Sequence, residues 1–167
     1  MQIIDLANLK ITIEEFTDSV TYTFEGDVDE NFSFSQIPKI SKNHIYFKLE
    51  ALENFNSIGI REWVSMMRAF GNLGLITFMQ CSITMIDQIN MVPESLGSAA
   101  IESFYAPYYS KVDGEVNKLI VVKEHQALLE AKKAPVFHDA NGEELEFDAI
   151  EESYFQFIEP TASTIAS

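Results

Sequence analysis

The stretch "HIYFKLEALENFNSIGIREWVSMMRAF", residues 44–70, changes its period halfway along. Its first seven residues, 44–50, form a short apolar run with aromatic weight, the pattern of a strand. After Ser57 the pattern becomes helical. Ile60, Trp63, Val64, Met67 and Phe70 fall at i, i+3, i+4, i+7 and i+10 on one helix face, with Arg61, Glu62, Ser65 and Arg68 on the other. Between the two patterns lie Asn56, Ser57 and Gly59. Either the Ser57 hydroxyl or the Asn56 amide oxygen can accept from the backbone N–H groups that open a helix. Gly59 lets another segment approach the backbone closely.

The flanking sequence extends this unit in both directions. Residues 9–15, "LKITIEE", and 20–25, "VTYTFE", alternate apolar and polar around the turn "FTDS" and predict a hairpin. "GDVDENFSFSQIPK" is a Gly-, Asp-, Ser- and Pro-marked connection. Past the helix, "GNLG" stops it and "LITFMQC" is a buried-type strand. Ser82 can cap a second helix carrying Ile83, Ile86 and Ile89, which Pro93 closes. The first 92 residues therefore read β-β-β-α-β-α, a small α/β domain.

From Ser98 the texture shifts. "AAIESFYAPYY" and "VNKLIVV" are strand-like, and "KEHQALLEAKKAP" is a short helix with a loop. "LEFDAIEESYFQFI" predicts a strand running into a helix, with Asp148 as N-cap and Glu151 closing a capping box. The expected organisation is an α/β domain over residues 1–97, a small β-rich lobe over 98–158 and a flexible tail over 159–167.

Bulk properties narrow the function classes. The 167 residues suit one domain, or a small domain with an appended lobe, and 47% hydrophobic content allows a buried core. Eleven basic residues against 26 acidic ones give a net charge of −15, which disfavours nucleic acid and anionic membrane as partners. Two readings of that charge stay open: faster encounter with a basic partner, or solubility alone. The start, "MQIIDLANLK", has no basic n-region or apolar h-region, and no run approaches a membrane span. The lone Cys81 fits a reducing compartment. The expected location is the cytoplasm.

At the 44–70 junction the chain resembles a family. "IYFKLEALENFNSIGIREWVSMM" is similar to the core of a STAS domain, the module shared by anti-anti-sigma factors and the cytoplasmic tails of sulfate transporters. That family's pattern is a hydrophobic strand, a short loop, an Asp-Ser-x-Gly-type motif and an amphipathic helix. Leu49, Leu52, Phe55, Ser57 and Gly59 fill those positions. Upstream, Gly26 and Asp29 resemble its Gly-x-x-Asp arrangement, and downstream "LITFMQCSITMIDQINM" resembles its next strand and helix. The likeness spans about residues 8–93. It implies a mixed sheet faced by helices and a non-enzymatic, protein-binding role in bacterial-type signalling, with an anti-sigma factor or kinase as partner.

In phosphoswitch members of the family a partner kinase modifies the serine. Where many members carry Asp before it, this chain has Asn56, which keeps the capping geometry and removes a charge. The physics suits a switch, because a helix N-terminus tolerates an anion and a phosphate adds a charge of about −2. Glu50, Glu53 and Glu62 are expected to make the same corner acidic already. The plain alternative is a helix cap in a structural or assembly protein, with the lobes packing and the chain forming a homodimer.

Residues 110–114, "SKVDG", and 138–142, "HDANG", share a second frame. Cysteines at Ser110, Asp113, His138 and Asn141 would make Cys-x2-Cys-Gly twice, so the 98–158 lobe resembles a zinc ribbon that has lost its cysteines. Ser, Asp, His and Asn form a weak zinc set, and neither metal nor cofactor is expected. Phe104, Tyr105, Tyr108, Tyr109, Phe137, Phe147, Tyr154, Phe155 and Phe157 can stabilise such a lobe by burial, at about 25 cal/mol per Å². Two unrelated Asp-Gly and Asn-Gly hairpin turns would leave the same trace.

No catalytic residue is assigned. The sequence holds no Gly-x-Ser-x-Gly elbow, no His-Glu-x-x-His helix and no phosphate loop, and "GNLG" lacks the lysine. Cys81 reads as a small buried apolar residue. A third hypothesis, a small-molecule binder using a pocket between the lobes, stays open.

Overall fold

The computed structural model describes residues 1–159, so all of the expected tail except Glu159 lies outside the described residues. The chain is α/β, with a mixed six-stranded sheet faced by helices and a separate antiparallel three-stranded sheet. Strands β1 (Gln2–Asp5), β2 (Leu9–Glu15) and β3 (Ser19–Val28) run as an antiparallel meander. β4 (His44–Phe55), β5 (Leu75–Met79) and β6 (Ala100–Ile101) then add in parallel, in the order β1-β2-β3-β4-β5-β6. Helix α1 (Ser57–Phe70) joins β4 to β5, and α2 (Ile83–Met91) lies between β5 and β6. Parallel neighbours need such crossovers. The β3-to-β4 connection makes its crossing with a loop and one short 3-10 turn, Phe34–Gln36.

Alternation puts one face of the sheet inside. Ile11, Ile13, Val20, Tyr22, Phe24, Ile45, Phe47, Ile76 and Phe78 are buried, while their neighbours Lys10, Glu25 and Lys48 are exposed. Trp63 of α1 sits on that face against Phe24 and Phe55, at ring-centroid separations of 5.1 and 5.6 Å, and its indole N–H donates to the Ser95 carbonyl at 2.9 Å. Phe32 of the long loop covers Trp63 from outside, and Tyr22 ties the same loop down by donating to the Pro38 carbonyl at 2.7 Å. The buried stripe of α1 is Gly59, Trp63, Met66, Met67 and Phe70, with Met66 inside where Val64 was expected.

β4 runs five residues past its expected end. Thr23 pairs with Lys48 but Glu25 pairs with Ala51, so β4 carries an extra residue there, and another between Leu52 and Asn54. These bulges put Leu49 and Leu52, three residues apart, on the buried side.

The second sheet, in the order β8-β7-β9, comprises β7 (Ser103–Ser110), β8 (Gly114–Val121) and β9 (Glu146–Phe147). It is accompanied by the short helices α3 (Gln126–Glu130) and α4 (Glu151–Tyr154). The division expected at residue 97 is not where the sheets part. Ala100 and Ile101 pair with Thr77 and Phe78 of β5, and the chain leaves the first sheet only at Glu102. Phe104 is packed beside Phe155 and Phe157, and Cys81 bridges to Phe104, so the two sheets share one continuous core. The expected capping box is also absent. Ile150 holds the N-cap position without a side-chain bond, and Glu151 instead accepts from the Ala134 N–H at 2.6 Å.

Candidate functional site

The β4–α1 corner is built from three segments far apart in sequence. Asn56, extended at φ −111°, is the N-cap of α1 and accepts from the Gly59 N–H at 2.8 Å. Its N–H donates to the Val28 carbonyl at 3.2 Å, and its side-chain amide donates to Glu30 at 2.6 Å. Of the two cap acceptors left open by the sequence, the structure uses the Asn56 amide oxygen. Ser57, the first residue of α1, is exposed, as is Ile58 beside it at 49%. Gly59 is buried, and a Cβ on it would overlap the Val28 carbonyl oxygen, so only glycine fits beneath the end of β3.

The loop after β3 is pinned on both sides. Asp29 accepts from the Asn8 side chain at 2.7 Å and from the Asn31 N–H at 2.9 Å, and the Asn8 bond foremost holds its carboxyl below the usual range. Asn54 donates to Asp27 at 3.0 Å, tying β4 to the same loop. Gly26 begins this stretch with φ +116°, against the Asn8 carbonyl. Gly26 and Asp29 therefore brace the strand-to-loop bend next to the α1 N-terminus.

The acids differ from those expected. Glu62 turns to the Phe34 N–H at 3.3 Å, and Glu50 accepts from the Tyr105 hydroxyl at 2.9 Å. The carboxylate on the cap residue is Glu30, twenty-six residues upstream of Asn56. Nothing local in the sequence marks Glu30, Asn8 or Asn54 as members of this corner. The bent end of β3 unites them.

The two turns of the small sheet lie at one end of it, since β7 ends at Ser110 opposite Gly114 and Tyr109 faces Glu146 at the start of β9. Their polar residues serve the backbone. Ser110 Oγ accepts from the N–H groups of Val112 and Asp113, at 3.2 and 3.1 Å. Asp139 Oδ1 accepts from Asn141 and Glu143, at 2.8 and 3.0 Å. Asp113, His138 and Asn141 are all exposed. Among the described residues no group of three or more His, Cys, Asp or Glu is placed to hold a metal ion.

Elsewhere, Cys81 is fully buried and burial pushes its thiol pKa up, the opposite of an activated thiolate. A groove of about 450 Å³ runs between α2 and α4, lined by Asp87, Asn90, Met91, Ile150, Ser153 and Tyr154 among others. Asn90 bridges this seam by donating to the Tyr154 carbonyl at 2.9 Å, while its buried Oδ1 has no partner among the described residues. Among the described residues no helix is long and apolar enough to cross a membrane. No protein-family model matches this chain, and no curated protein is significantly similar to it.

Proposed function

We propose that this chain is a non-enzymatic, cytoplasmic regulatory module of the STAS type that binds a protein partner through the corner at Asn56, Ser57 and Gly59. The observation that carries the reading is the division of labour there. Asn56 takes the cap and Gly59 the tight packing, which leaves the Ser57 hydroxyl exposed beside an exposed Ile58 on a braced helix start. A mixed sheet faced by helices, with a strand running directly into α1, supports the same reading. The partner proposed is an anti-sigma factor or kinase. Phosphate on Ser57 would sit at the favourable end of α1 and add a charge of about −2 near Glu30, repelling an apolar or acidic partner surface without unfolding the helix.

Capture from a lysate of the source organism, with wild type and Ser57→Glu as paired baits read by mass spectrometry, tests this. The expected result is a partner retained by wild type and lost by the glutamate variant. Equal recovery on both baits overturns it.

A second reading, a small-molecule binder at the seam of the two sheets, is favoured by one observation: the α2–α4 groove carries the unpartnered Asn90 oxygen beside Met91 and Ile150. A thermal-shift screen with nucleotides, lipids and anions supports it if one of them stabilises the chain saturably, and a flat screen removes it.

A further inference from the structure

Two uncovered apolar side chains meet where α2 ends beside α4. Met91 is 71% and Ile150 73% exposed, more than any other large apolar residue described except Met1. Both line the groove of about 450 Å³, and an adjoining cavity of about 250 Å³ continues it past Pro93, Leu96 and Phe157. The two cavities share Asn90 and Gln156, so they form one trough along the end of α2. An open apolar patch rimmed by polar residues marks a site of contact.

The charge of the trough is of one sign. Asp87 and Glu159 line it, and Glu94, Asp148 and Glu152, each next in sequence to a lining residue, are exposed. Among the described residues no lysine, arginine or histidine lines the trough or adjoins a lining residue in sequence. Lys132, whose charge acts on Glu159, is turned to the Phe155 and Ile158 carbonyls. Asp87 makes no ion pair among the described residues, and partial burial pushes its carboxyl up. At the waist of the trough, the Asn90 amide donates to Tyr154 while its Oδ1 has no donor among the described residues. The trough therefore offers apolar walls and acceptors, and it lacks a cation.

We propose that this trough docks a basic segment of a partner protein, with large apolar side chains seated in the two cavities and lysine or arginine side chains against the surrounding carboxylates. Charge complementarity selects this occupant. A second copy of the chain would bring another −15, and an anionic ligand would meet the same repulsion. Lysine and arginine also suit the walls, because their stems cover apolar surface while their charged ends reach the rim. None of the lining residues belongs to the Asn56–Gly59 corner, so the proposal does not depend on that site.

Selection from a phage-displayed library of short random peptides, with the full wild-type chain as bait, tests this. The expected result is enrichment of sequences that place large apolar residues between lysines or arginines. A synthetic peptide of the enriched class, followed by fluorescence anisotropy, is expected to bind Met91→Lys and Ile150→Lys at least about tenfold more weakly than wild type. Both positions are exposed, so their circular dichroism spectra should be unchanged. Ile3→Lys, the same change at an exposed apolar residue of β1, is expected to keep the affinity within about twofold. No enrichment, or enrichment of uncharged or acidic sequences, overturns the proposal. So does equal weakening by all three variants, because the net charge of the chain and not the trough would then attract the peptide. Saturable binding of spermidine with no peptide enriched overturns it in favour of a small cation.

Discussion

The α1 corner and the two turns of the small sheet both place a glycine after polar residues, yet their glycines answer different demands. At the corner, Gly59 has ordinary helical backbone, and its missing side chain makes room for the Val28 carbonyl of a distant strand. In the turns, Gly114 and Gly142 have φ of +76° and +80° with nothing within 4 Å of where a Cβ would lie. The first glycine is fixed by packing and the others by the path of the chain. A glycine of the second kind shapes a knuckle with Ser110 or Asp139 holding its amides, so the knuckle shape needs no ion.

The sharpest way to break this contrast is Gly59→Val. It drives atoms into the end of β3 where neither backbone can move cheaply, and a loss of about 4 kcal/mol or failure to fold is expected in urea titration. A loss below about 1 kcal/mol would mean that the corner is loose. The small sheet should be just as sensitive, through its aromatic residues. Phe104 is fully buried against Phe155 and Phe157, and Phe104→Ala is expected to cost about 3–5 kcal/mol. A strong chelator should leave the wild-type melting temperature unchanged. A chelator-sensitive melt would show that an ion, and not aromatic packing, holds the lobe.

Alkaline titration compares the two sheets directly. Burial pushes the Tyr22 hydroxyl of the first sheet up to about 12, and it also raises those of Tyr108 in the second sheet and Tyr154 in α4 beside it. A raised pKa means that the folded state holds its proton more tightly. The contribution is therefore full below pH 10, the unfolded value, and is lost as pH rises through the folded values. Stability should be flat to about pH 9 and fall above pH 10, with the part of the tyrosinate absorbance change due to the three buried tyrosines coinciding with unfolding. Ionisation of all six tyrosines with an ordinary midpoint in a protein that stays folded would contradict this burial. A smaller effect is expected at the turns. Gly114→Ala, forced to keep a left-handed backbone in open space, should cost about 1–2 kcal/mol, well below Gly59→Val.

Much of the first sheet was legible because its signals are local. The alternation at 9–15 and 20–25, the end of the helix at Phe70 and the Ser82 cap, which accepts from Met85 at 3.1 Å, all lie where expected, while the buried stripe of α1 takes Gly59 and Met66 in place of Ile60 and Val64. The features that escaped were set by partners elsewhere. β1 has no buried residue, so its four residues carry no alternating signal. The end of β4 was lost because its bulges break the period of two. Ala100 and Ile101 read as one strand with residues 103–109, although they belong to the other sheet. Glu151 matched a capping box locally, while Ala134 took its carboxylate across the lobe. At the corner, the residue types at 56–59 were legible, but the choice of Asn56 over Ser57 as cap and the arrival of Glu30 were not. Both depend on where β3 ends.

Stability and exposure at this corner fall on adjacent residues, Asn56 and Ser57. The most direct test is equilibrium urea unfolding of Asn56→Ala and Ser57→Ala side by side. Asn56→Ala is expected to cost about 1 kcal/mol and Ser57→Ala to change stability by no more than about 0.5 kcal/mol. The reverse order would make Ser57 the cap and remove the exposed hydroxyl on which the proposed function rests.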